Sequence, residues 1–344
     1  MRDLLTLDTP LPRSGAVTAA APLATFIGLI FLYAGAWALT AGLFDLPAQA
    51  PAGLFVRYGA LSLITSACYA GTAAILLRRR DPARLAAHLT SSAVCSAVVT
   101  VLAFALLMAV FTAFKSAIPL LRPFAWDAPL AAADRLLHGG DAWRLARPLL
   151  ESRAALIALA LLYGPAWFGS TAAVMGWAAW IRDPGTRLYF FTGYFGLWFL
   201  LGTVGALLLS SAGPAYYHIV TGGDAAFAPL LDLLRQNAPW IVQGHEVLWR
   251  DSQSGAGIVA GAGISAAPSM HIAQLAFFGF AFRRLHARVS AAFFVLTALT
   301  FVATVVLAWH YAVDAYLGVL GAYLVHRGAE RIRAKWTATR EVSP

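Results

Sequence analysis

The chain has 344 residues, of which 60% are hydrophobic and only 12% are charged, and its mean hydropathy is +0.70. A soluble domain carries roughly 25% charged residues, so this composition excludes one and indicates a polytopic membrane protein. The net charge of +9 comes from short basic clusters between apolar segments, which excludes a nucleic-acid-binding surface. We therefore expect a bilayer and its lipids as partners and no nucleic acid, and the oligomeric state stays open.

Eight apolar segments follow one another along the chain, most of them near the roughly 20 residues that a helix needs to cross a bilayer. They cover residues 22–44, 55–77, 89–114, 153–180, 188–210, 269–284, 289–309 and 311–326. The predicted fold class is therefore all-α, with about eight transmembrane helices. The first segment is longer than the roughly 7–15 apolar residues of a signal peptide, so we expect it to be an uncleaved span.

The distribution of Lys and Arg predicts the orientation. With a cytoplasmic N-terminus, the dense clusters at 78–84, 283–288 and 327–340 all face the cytoplasm, together with the C-terminus. The long loops 115–152 and 211–263 then lie on the extracytoplasmic side. The composition is rich in Ala and Arg and poor in Lys, which is typical of a GC-rich bacterial genome, so we expect a bacterial plasma membrane.

Both extracytoplasmic loops contain local signals. In the first, Pro129 just after Asp127 predicts a helix start and Gly139 predicts its end, as in a helix lying along the interface. The second contains a Gly222-Gly223 turn and a short helical pattern around Pro229–Arg235, and it is a candidate lid. His245-Glu246 offers too few ligands for a metal site, so a solvated loop is the better interpretation there.

Two histidines near the C-terminus form a candidate catalytic pattern. His271 follows Pro268-Ser269-Met270 at the start of the sixth segment, and His310 ends the seventh. Two spans joined by a basic turn return both histidines to the same side of the membrane. Asp314 lies four residues after His310 and so shares a helix face with it, where a carboxylate can hold the imidazole tautomer. This pattern predicts an enzyme that handles phosphate esters at the extracytoplasmic membrane surface.

Three motifs resemble the type 2 phosphatidic acid phosphatase superfamily. They are Pro268-Ser269-Met270-His271, His310 with Asp314, and Lys115 with Arg122 seven residues later. Further short matches resemble the inositol phosphorylceramide synthase branch, and they are Trp126-Asp127, Asp134-Arg135, His138-Gly139-Gly140 and Gly213-Pro214-Ala215-Tyr216-Tyr217. The resemblance covers about Lys115 to His326 and implies a six-helix core bundle.

The resemblance also implies roles for these residues. His310 is the nucleophile that takes the phosphoryl group, Asp314 orients it, and His271 protonates the leaving oxygen and then deprotonates the acceptor. Lys115, Arg122 and Ser269 bind the phosphate, and the loop residues Tyr216 and Tyr217 are candidate substrate contacts. No metal and no cofactor is implied, because cationic side chains carry the charge stabilisation.

One position departs from the family pattern. The third motif of the superfamily usually has Ser-Arg six residues before its histidine, and here Ala303 and Thr304 stand there. One phosphate-binding arginine is therefore missing, as also tends to be the case in the inositol phosphorylceramide synthase branch. The departure favours that branch and gives Arg122 more weight.

The predicted function is a lipid phosphotransferase that moves a phospho-head group, phosphoinositol being the example implied by the branch, to a lipid alcohol. One alternative is a lipid or polyprenyl phosphate phosphatase with the same site, and a weaker one is a transporter. The predicted organisation has two N-terminal helices in residues 1–88, a catalytic membrane domain in 89–326 and a basic tail in 327–344.

Overall fold

A computed structural model describes residues 16–78, 90–253 and 263–341. Every regular element in these ranges is helical, which confirms the predicted all-α class. The main helices are α1 Ala16–Leu43, α2 Ala50–Arg78, α3 Ser91–Leu121, α4 Asp127–His138, α5 Arg153–Ala179, α6 Pro184–Leu208, α7 Ala228–Asn237, α8 Pro239–Gln253, α9 Met270–Phe282, α10 Ala287–Val306 and α11 Ala312–Glu341. The predicted basic residues Arg2, Arg13, Arg79, Arg80 and Arg84 and most of the glycine-rich stretch before Gly263 lie outside the described residues.

Each of the eight predicted apolar segments is a helix. Within the described ranges, α3, α5, α6, α10 and the apolar part of α1 are long and apolar enough to cross a membrane, so the protein is an integral membrane protein. Helix α9 is apolar but has only 13 residues. Membrane crossing by α2, α9 and α11 stays a prediction, and so does the total of eight spans.

The chain forms two compact units. The first contains the described residues up to Val110, then Phe168–Phe195 and the chain from His326 onward. Its core has stacked and edge-on contacts between Phe26, Phe104 and Phe191. The predicted division of the chain into residues 1–88, 89–326 and 327–344 stays a prediction.

The second unit comprises Phe111–Trp167 and Gly196–Val325 and holds all the predicted site residues. Its apolar core draws on α4, α7, α10 and the start of α11, with buried Leu230, Leu234 and Val306 among its members. Helix α7 confirms the short helix predicted around Pro229–Arg235.

Helix α8 corrects one prediction. The segment with His245 and Glu246 was expected to be a solvated loop, but it is helical, and the His245 side chain is 3% exposed. The reason is amphipathic spacing: Ile241, Val242 and His245 lie on one helix face and pack into the core.

Helix α4 confirms the helix predicted between Asp127 and Gly139, and Gly139 ends it in the left-handed conformation with φ of 68°. The position of α4 along the membrane interface stays a prediction. The placement of charged and apolar side chains on α4 is unusual. The carboxylates of Asp127 and Asp134, seven residues apart on one face, are buried, whereas Leu136 and Leu137 are 85% and 60% exposed. An outward apolar face suits a helix that meets lipid.

Candidate active site

His271 lies in the first turn of α9 and is held by aromatic rings from α5. The ring of Tyr163 stacks on its imidazole at 4.1 Å, and the ring of Trp167 lies 4.4 Å away. Trp167 Nε1 also donates a hydrogen bond to the His271 carbonyl at 3.3 Å. Both rings come from the stretch around Pro165, where α5 widens into a π-helical turn because proline cannot complete the helical hydrogen bonds. Sequence reasoning did not single out either aromatic residue.

His271 faces the second predicted histidine. The centroids of the His271 and His310 rings are 6.3 Å apart, with 60° between the ring planes. Lys115 is close enough to His271 to interact with it electrostatically. Lys115 was expected in a loop after residue 114, but α3 continues to Leu121, so the lysine projects from a helix instead. The structure thus brings His271, His310 and Lys115 together.

His310 is fixed in one tautomer. Its Nδ1–H donates to the carbonyl of Ala266 at 2.9 Å, and Asp314 Oδ2 lies 3.4 Å from the same nitrogen. Nδ1 therefore carries the proton and Nε2 carries the free lone pair. Within the described residues no hydrogen bond reaches Nε2, and the side chain is 6% exposed. The arrangement is that of an imidazole poised to act as a nucleophile or a base.

Asp314 joins the two motifs through its carboxylate and its backbone. Oδ2 accepts a hydrogen bond from the Tyr311 N–H at 3.0 Å, and the Asp314 carbonyl accepts one from the Ser269 N–H at 3.0 Å. Helix α11 therefore carries the start of α9. Helix α11 and the start of α9 lie closest at Gly318, where an added Cβ would be 2.7 Å from the Ser269 carbonyl oxygen.

The turn that delivers His310 ends α10 with a pair of hydrogen bonds. Trp309 N–H donates to Thr304 and Ala308 N–H to Val305, with Ala308 in the left-handed region at φ of 60°. This geometry is a Schellman motif, in which glycine is the usual residue. An alanine there adds strain of about 1–2 kcal/mol, which the surroundings must offset.

The preceding loop and α8 hold this turn in place. The Ala308 carbonyl accepts the Ala215 N–H at 3.0 Å, and the Leu307 carbonyl accepts His245 Nε2–H at 3.1 Å. Gly213, with φ of 97°, lies so near the Trp309 carbonyl that a Cβ would be 2.6 Å from that oxygen. The three consecutive backbone carbonyls before His310 are thus positioned by residues from distant parts of the chain.

Two carboxylates of α4 anchor the same region. Asp127 accepts the N–H groups of Ala212 and Gly213 and the hydroxyl of Tyr311, at 2.8–3.1 Å. Burial raises the Asp127 pKa, and these three donors oppose that rise. Sequence reasoning gave this residue no role in the site.

Asp134 acts at the start of α11. Its two oxygens accept the N–H groups of Ala312 and Val313, both at 2.8 Å, and so cap the helix that carries Asp314. Burial raises the Asp134 pKa, against the effect of these bonds. A signal was present in the sequence, because two acids seven residues apart in a leucine-rich helix share one face.

The remaining predicted phosphate- and substrate-binding residues lie in different elements of the second unit. Ser269 is fully buried at the start of α9, and its hydroxyl has no hydrogen-bond partner in the described residues. Arg122 follows α3, and its carbonyl accepts the Ser210 hydroxyl. Tyr216 donates its hydroxyl to the His245 carbonyl at 3.0 Å, and Tyr217 packs against Phe227. In the described part of the chain, no hydrogen bond or ring contact joins Tyr216 or Tyr217 to His271 or His310, so their role in substrate binding stays a prediction.

The sequence model of one protein family, described as the PAP2 superfamily, matches residues 128–327, which is more than half of the chain. The matched range contains His271, His310 and Asp314, and it ends close to the C-terminal limit of the second unit. No curated protein and no solved structure matches the chain.

Proposed function

Because the chain belongs to the PAP2 superfamily, whose chemistry is that of lipid phosphatases and phosphotransferases, we propose that it is a membrane lipid phosphotransferase. In this proposal His310 carries a phospho-head group from a phospholipid to a lipid alcohol. Phosphoinositol is the head group that the short motifs around Trp126 and Gly213 favour.

The observation that carries the proposal is the hydrogen bonding of His310. Its Nδ1 proton is committed to the Ala266 carbonyl, so the Nε2 lone pair is available to attack phosphorus. The opposing ring of His271, 6.3 Å away between centroids, suits a phosphoryl group held between the two imidazoles. Neither feature needs the side chain of any residue outside the second unit.

The first step forms a bond between His310 Nε2 and phosphorus and breaks the bond between phosphorus and the diacylglycerol oxygen. His271, protonated at this stage, gives its proton to that leaving oxygen. In the second step His271 takes the proton of the acceptor alcohol. The acceptor oxygen then bonds to phosphorus while the nitrogen–phosphorus bond breaks, which restores both histidines and completes the exchange.

Four groups form the proposed phosphate-binding set. Lys115 is within electrostatic range of His271, and the first free N–H groups of α9 favour an anion at its N-terminus. The unpartnered Ser269 hydroxyl at that position can donate to a phosphate oxygen. Arg122 completes the proposed set, with a bidentate grip on phosphate oxygens as its role.

Transfer to an alcohol is favoured over hydrolysis by the apolar enclosure of the site. His310 is 6% exposed and Asp314 is fully buried. The rings of Tyr163 and Trp167 pack on His271, and the ring of Trp309 stacks on Tyr163. Such a wall disfavours water and favours an acceptor that arrives from the lipid phase. Lipid phosphate hydrolysis with the same two histidines is the alternative outcome. We further propose that this site faces the extracytoplasmic side and that both termini are cytoplasmic.

The test uses the full chain purified in detergent with phosphatidylinositol labelled with ³²P in its phosphate. The label is followed with and without added diacylglycerol or ceramide, for the unaltered protein and for His310→Ala. We expect label on the added alcohol, dependent on His310, and an acid-labile labelled protein when no alcohol is present.

A histidine in another loop supplies the matched control. His286→Ala removes an imidazole between α9 and α10 and is expected to keep the activity. Label released only as water-soluble inositol phosphate would show hydrolysis of the phosphodiester in place of transfer and would overturn the transferase proposal. Transfer that survives in His310→Ala would overturn the assignment of the nucleophile.

A further inference from the structure

A cavity of about 550 Å³ lies in the second unit, between the turn after Gly213 and helices α7 and α8. This volume is within the range of roughly 300–1,000 Å³ that small-molecule sites occupy. Its floor is apolar and aromatic, with buried Tyr216, Leu231 and Val242 and half-buried Trp249. Its rim is polar and exposed, and it includes Glu246 and Arg250.

His245 gives this cavity a specific chemical character. The side chain lines the cavity and is 3% exposed, and its Nε2–H is committed to the Leu307 carbonyl. Its Nδ1 is buried and has no hydrogen-bond partner in the part of the chain that the structure describes. Burial lowers the His245 pKa to about 4, so the ring is neutral near pH 7 and Nδ1 is an acceptor. The floor of the cavity therefore carries no charge near pH 7.

The rim narrows the choice to a neutral occupant. Glu246 and Arg250 lie four residues apart on α8, and neither has an ion pair among the described residues, so their opposite charges leave the rim balanced. Arg235, also at the rim, is already paired with Asp232 at 2.8 Å. A phosphate would meet the Glu246 carboxylate at the rim and no cation on the floor. A ring with several hydroxyl groups can donate to Glu246 and accept from Arg250.

Aromatic faces favour the same kind of ring. Tyr216 has its hydroxyl committed to the His245 carbonyl, so it offers only its ring to the cavity, and Trp249 stacks near it at 5.1 Å. The C–H face of a sugar is apolar enough to pack on such rings while its hydroxyls reach polar groups. Leu231 and Val242 extend the apolar floor.

The cavity is distinct from the phosphoryl-transfer site. The ring of Trp309 packs edge-on against His245 at 4.3 Å and stacks over Tyr163 at 5.7 Å, and Tyr163 in turn stacks on His271. Two aromatic rings thus stand between the cavity floor and the catalytic imidazole. We propose that this cavity is a second binding site, for a neutral sugar ring that packs on Tyr216 and Trp249 and whose hydroxyls hydrogen-bond to Glu246 and Arg250 at the rim.

The sugar can come from a lipid head group or from free solute, and the experiment separates the two. The full chain is placed in phosphatidylcholine nanodiscs free of maltoside detergent, which itself carries a sugar. Its thermal unfolding midpoint is measured with methyl β-glucoside, with diacylglycerol, and with glucosyl diacylglycerol. A ligand that binds only the folded state raises the midpoint with concentration.

We expect glucosyl diacylglycerol to raise the midpoint and diacylglycerol to leave it unchanged. A shift with methyl β-glucoside as well identifies a free sugar as sufficient, whereas a shift with the glucosyl lipid alone identifies a membrane glycolipid. Both results support the site. No shift with either sugar-bearing probe, or an equal shift with plain diacylglycerol, overturns it.

Variants place the binding in this cavity. Glu246→Gln keeps the shape and removes one acceptor charge at the exposed rim, and we expect at least tenfold weaker binding. Val242→Trp fills the floor and should abolish the shift. Gln243→Ala, exposed on the same helix and outside the cavity, is the matched control and should bind as the unaltered protein does. Unchanged binding in both cavity variants would overturn the assignment.

Discussion

The imidazole of His310 donates its Nδ1–H to the backbone carbonyl of Ala266 at 2.9 Å, across 44 residues of sequence. Asp314 Oδ2 is 3.4 Å from the same nitrogen and is the longer of the two contacts. The tautomer of the proposed nucleophile is therefore set first by the backbone and only second by the carboxylate. The effects of substitutions in this region follow from that order.

Asp314→Asn is expected to lower kcat by roughly 10- to 100-fold and to leave phosphorylation of His310 detectable. The amide no longer stabilises a positively charged imidazole, but the Ala266 carbonyl still holds the Nδ1 proton, so the wrong tautomer does not form. Transfer of ³²P label, together with the amount of acid-labile labelled protein, measures both effects. A loss as complete as that in His310→Ala would show that the carboxylate alone sets the tautomer.

Gly213→Ala is expected to lower the free energy of unfolding by at least about 2 kcal/mol and to reduce transfer strongly. The new Cβ would lie 2.6 Å from the Trp309 carbonyl oxygen, on a backbone with φ of 97°, so the turn before His310 must move. Gly222→Ala is the matched control, since its φ of 75° is strained but nothing lies within 4 Å of the new Cβ. Equal activity in the two variants would contradict the role given to the Trp309 contact.

Gly318→Ala is expected to reduce activity at least tenfold by pushing the start of α9 away from α11. The added Cβ would lie 2.7 Å from the Ser269 carbonyl oxygen and 3.3 Å from the Ala273 nitrogen. Gly328→Ala, on the same helix with open space around it, should instead stabilise the helix by up to about 1 kcal/mol. Parallel melting curves and transfer assays check the pair, and a harmless Gly318→Ala would argue against tight coupling of the two motifs.

Asp134→Asn is expected to destabilise the protein by roughly 2 kcal/mol, because one N–H of the α11 N-terminus then meets an amide donor instead of an acceptor. Asp232→Asn breaks an ion pair whose side chains are 52% and 59% exposed, and should cost less than about 1 kcal/mol. Thermal midpoints of both variants in the same detergent give the comparison. Similar midpoints would mean that the cap on Ala312 and Val313 contributes little.

The contribution of His245 to the stability of the protein is expected to fall as the pH is lowered from about 6.5 towards about 4. The His245 pKa is lowered from 6.5 to about 4 by burial, so over this window the unfolded chain binds a proton that the folded chain does not. The slope reaches at most about 1.4 kcal/mol per pH unit for this one group. His245→Gln, which does not titrate, should show a smaller slope between those pH values, and an unchanged slope would assign the effect to other groups.

The sequence was sufficient to predict the apolar helices and α4. Apolar length placed all eight segments. The prediction that His310 and Asp314 share one helix face was wrong, because α10 ends at Val306 and α11 begins at Ala312, so His310 lies in the turn between them and still comes within 3.4 Å of Asp314. Proline and glycine marked the ends of α4, where Pro129 and Gly139 lie as expected. These signals depend only on neighbouring residues, so they can be recognised in the sequence without knowledge of the rest of the fold.

What the sequence could not give depends on long-range contacts. His245 looked like a loop residue, because nothing in its neighbours reveals the Leu307 carbonyl that its Nε2 binds 62 positions away. The hydrogen bond from His310 to the Ala266 carbonyl could not be predicted either, since every residue has a backbone carbonyl. Asp127 and Asp134 were given no role in the site, and only the fold shows that their partners are backbone N–H groups of remote segments.

The separation between Asp134 and its partners has a consequence for biosynthesis. The carboxylate leaves the ribosome 178 residues before Ala312, the first of the two N–H groups that it binds. Asp127 meets Ala212 after only 85 residues, but its Tyr311 partner comes after 184. Asp134 therefore cannot make its hydrogen bonds to Ala312 and Val313 until the start of α11 has been synthesised. We expect chains truncated before Ala312 to expose α4 to added protease and the full-length chain to protect it.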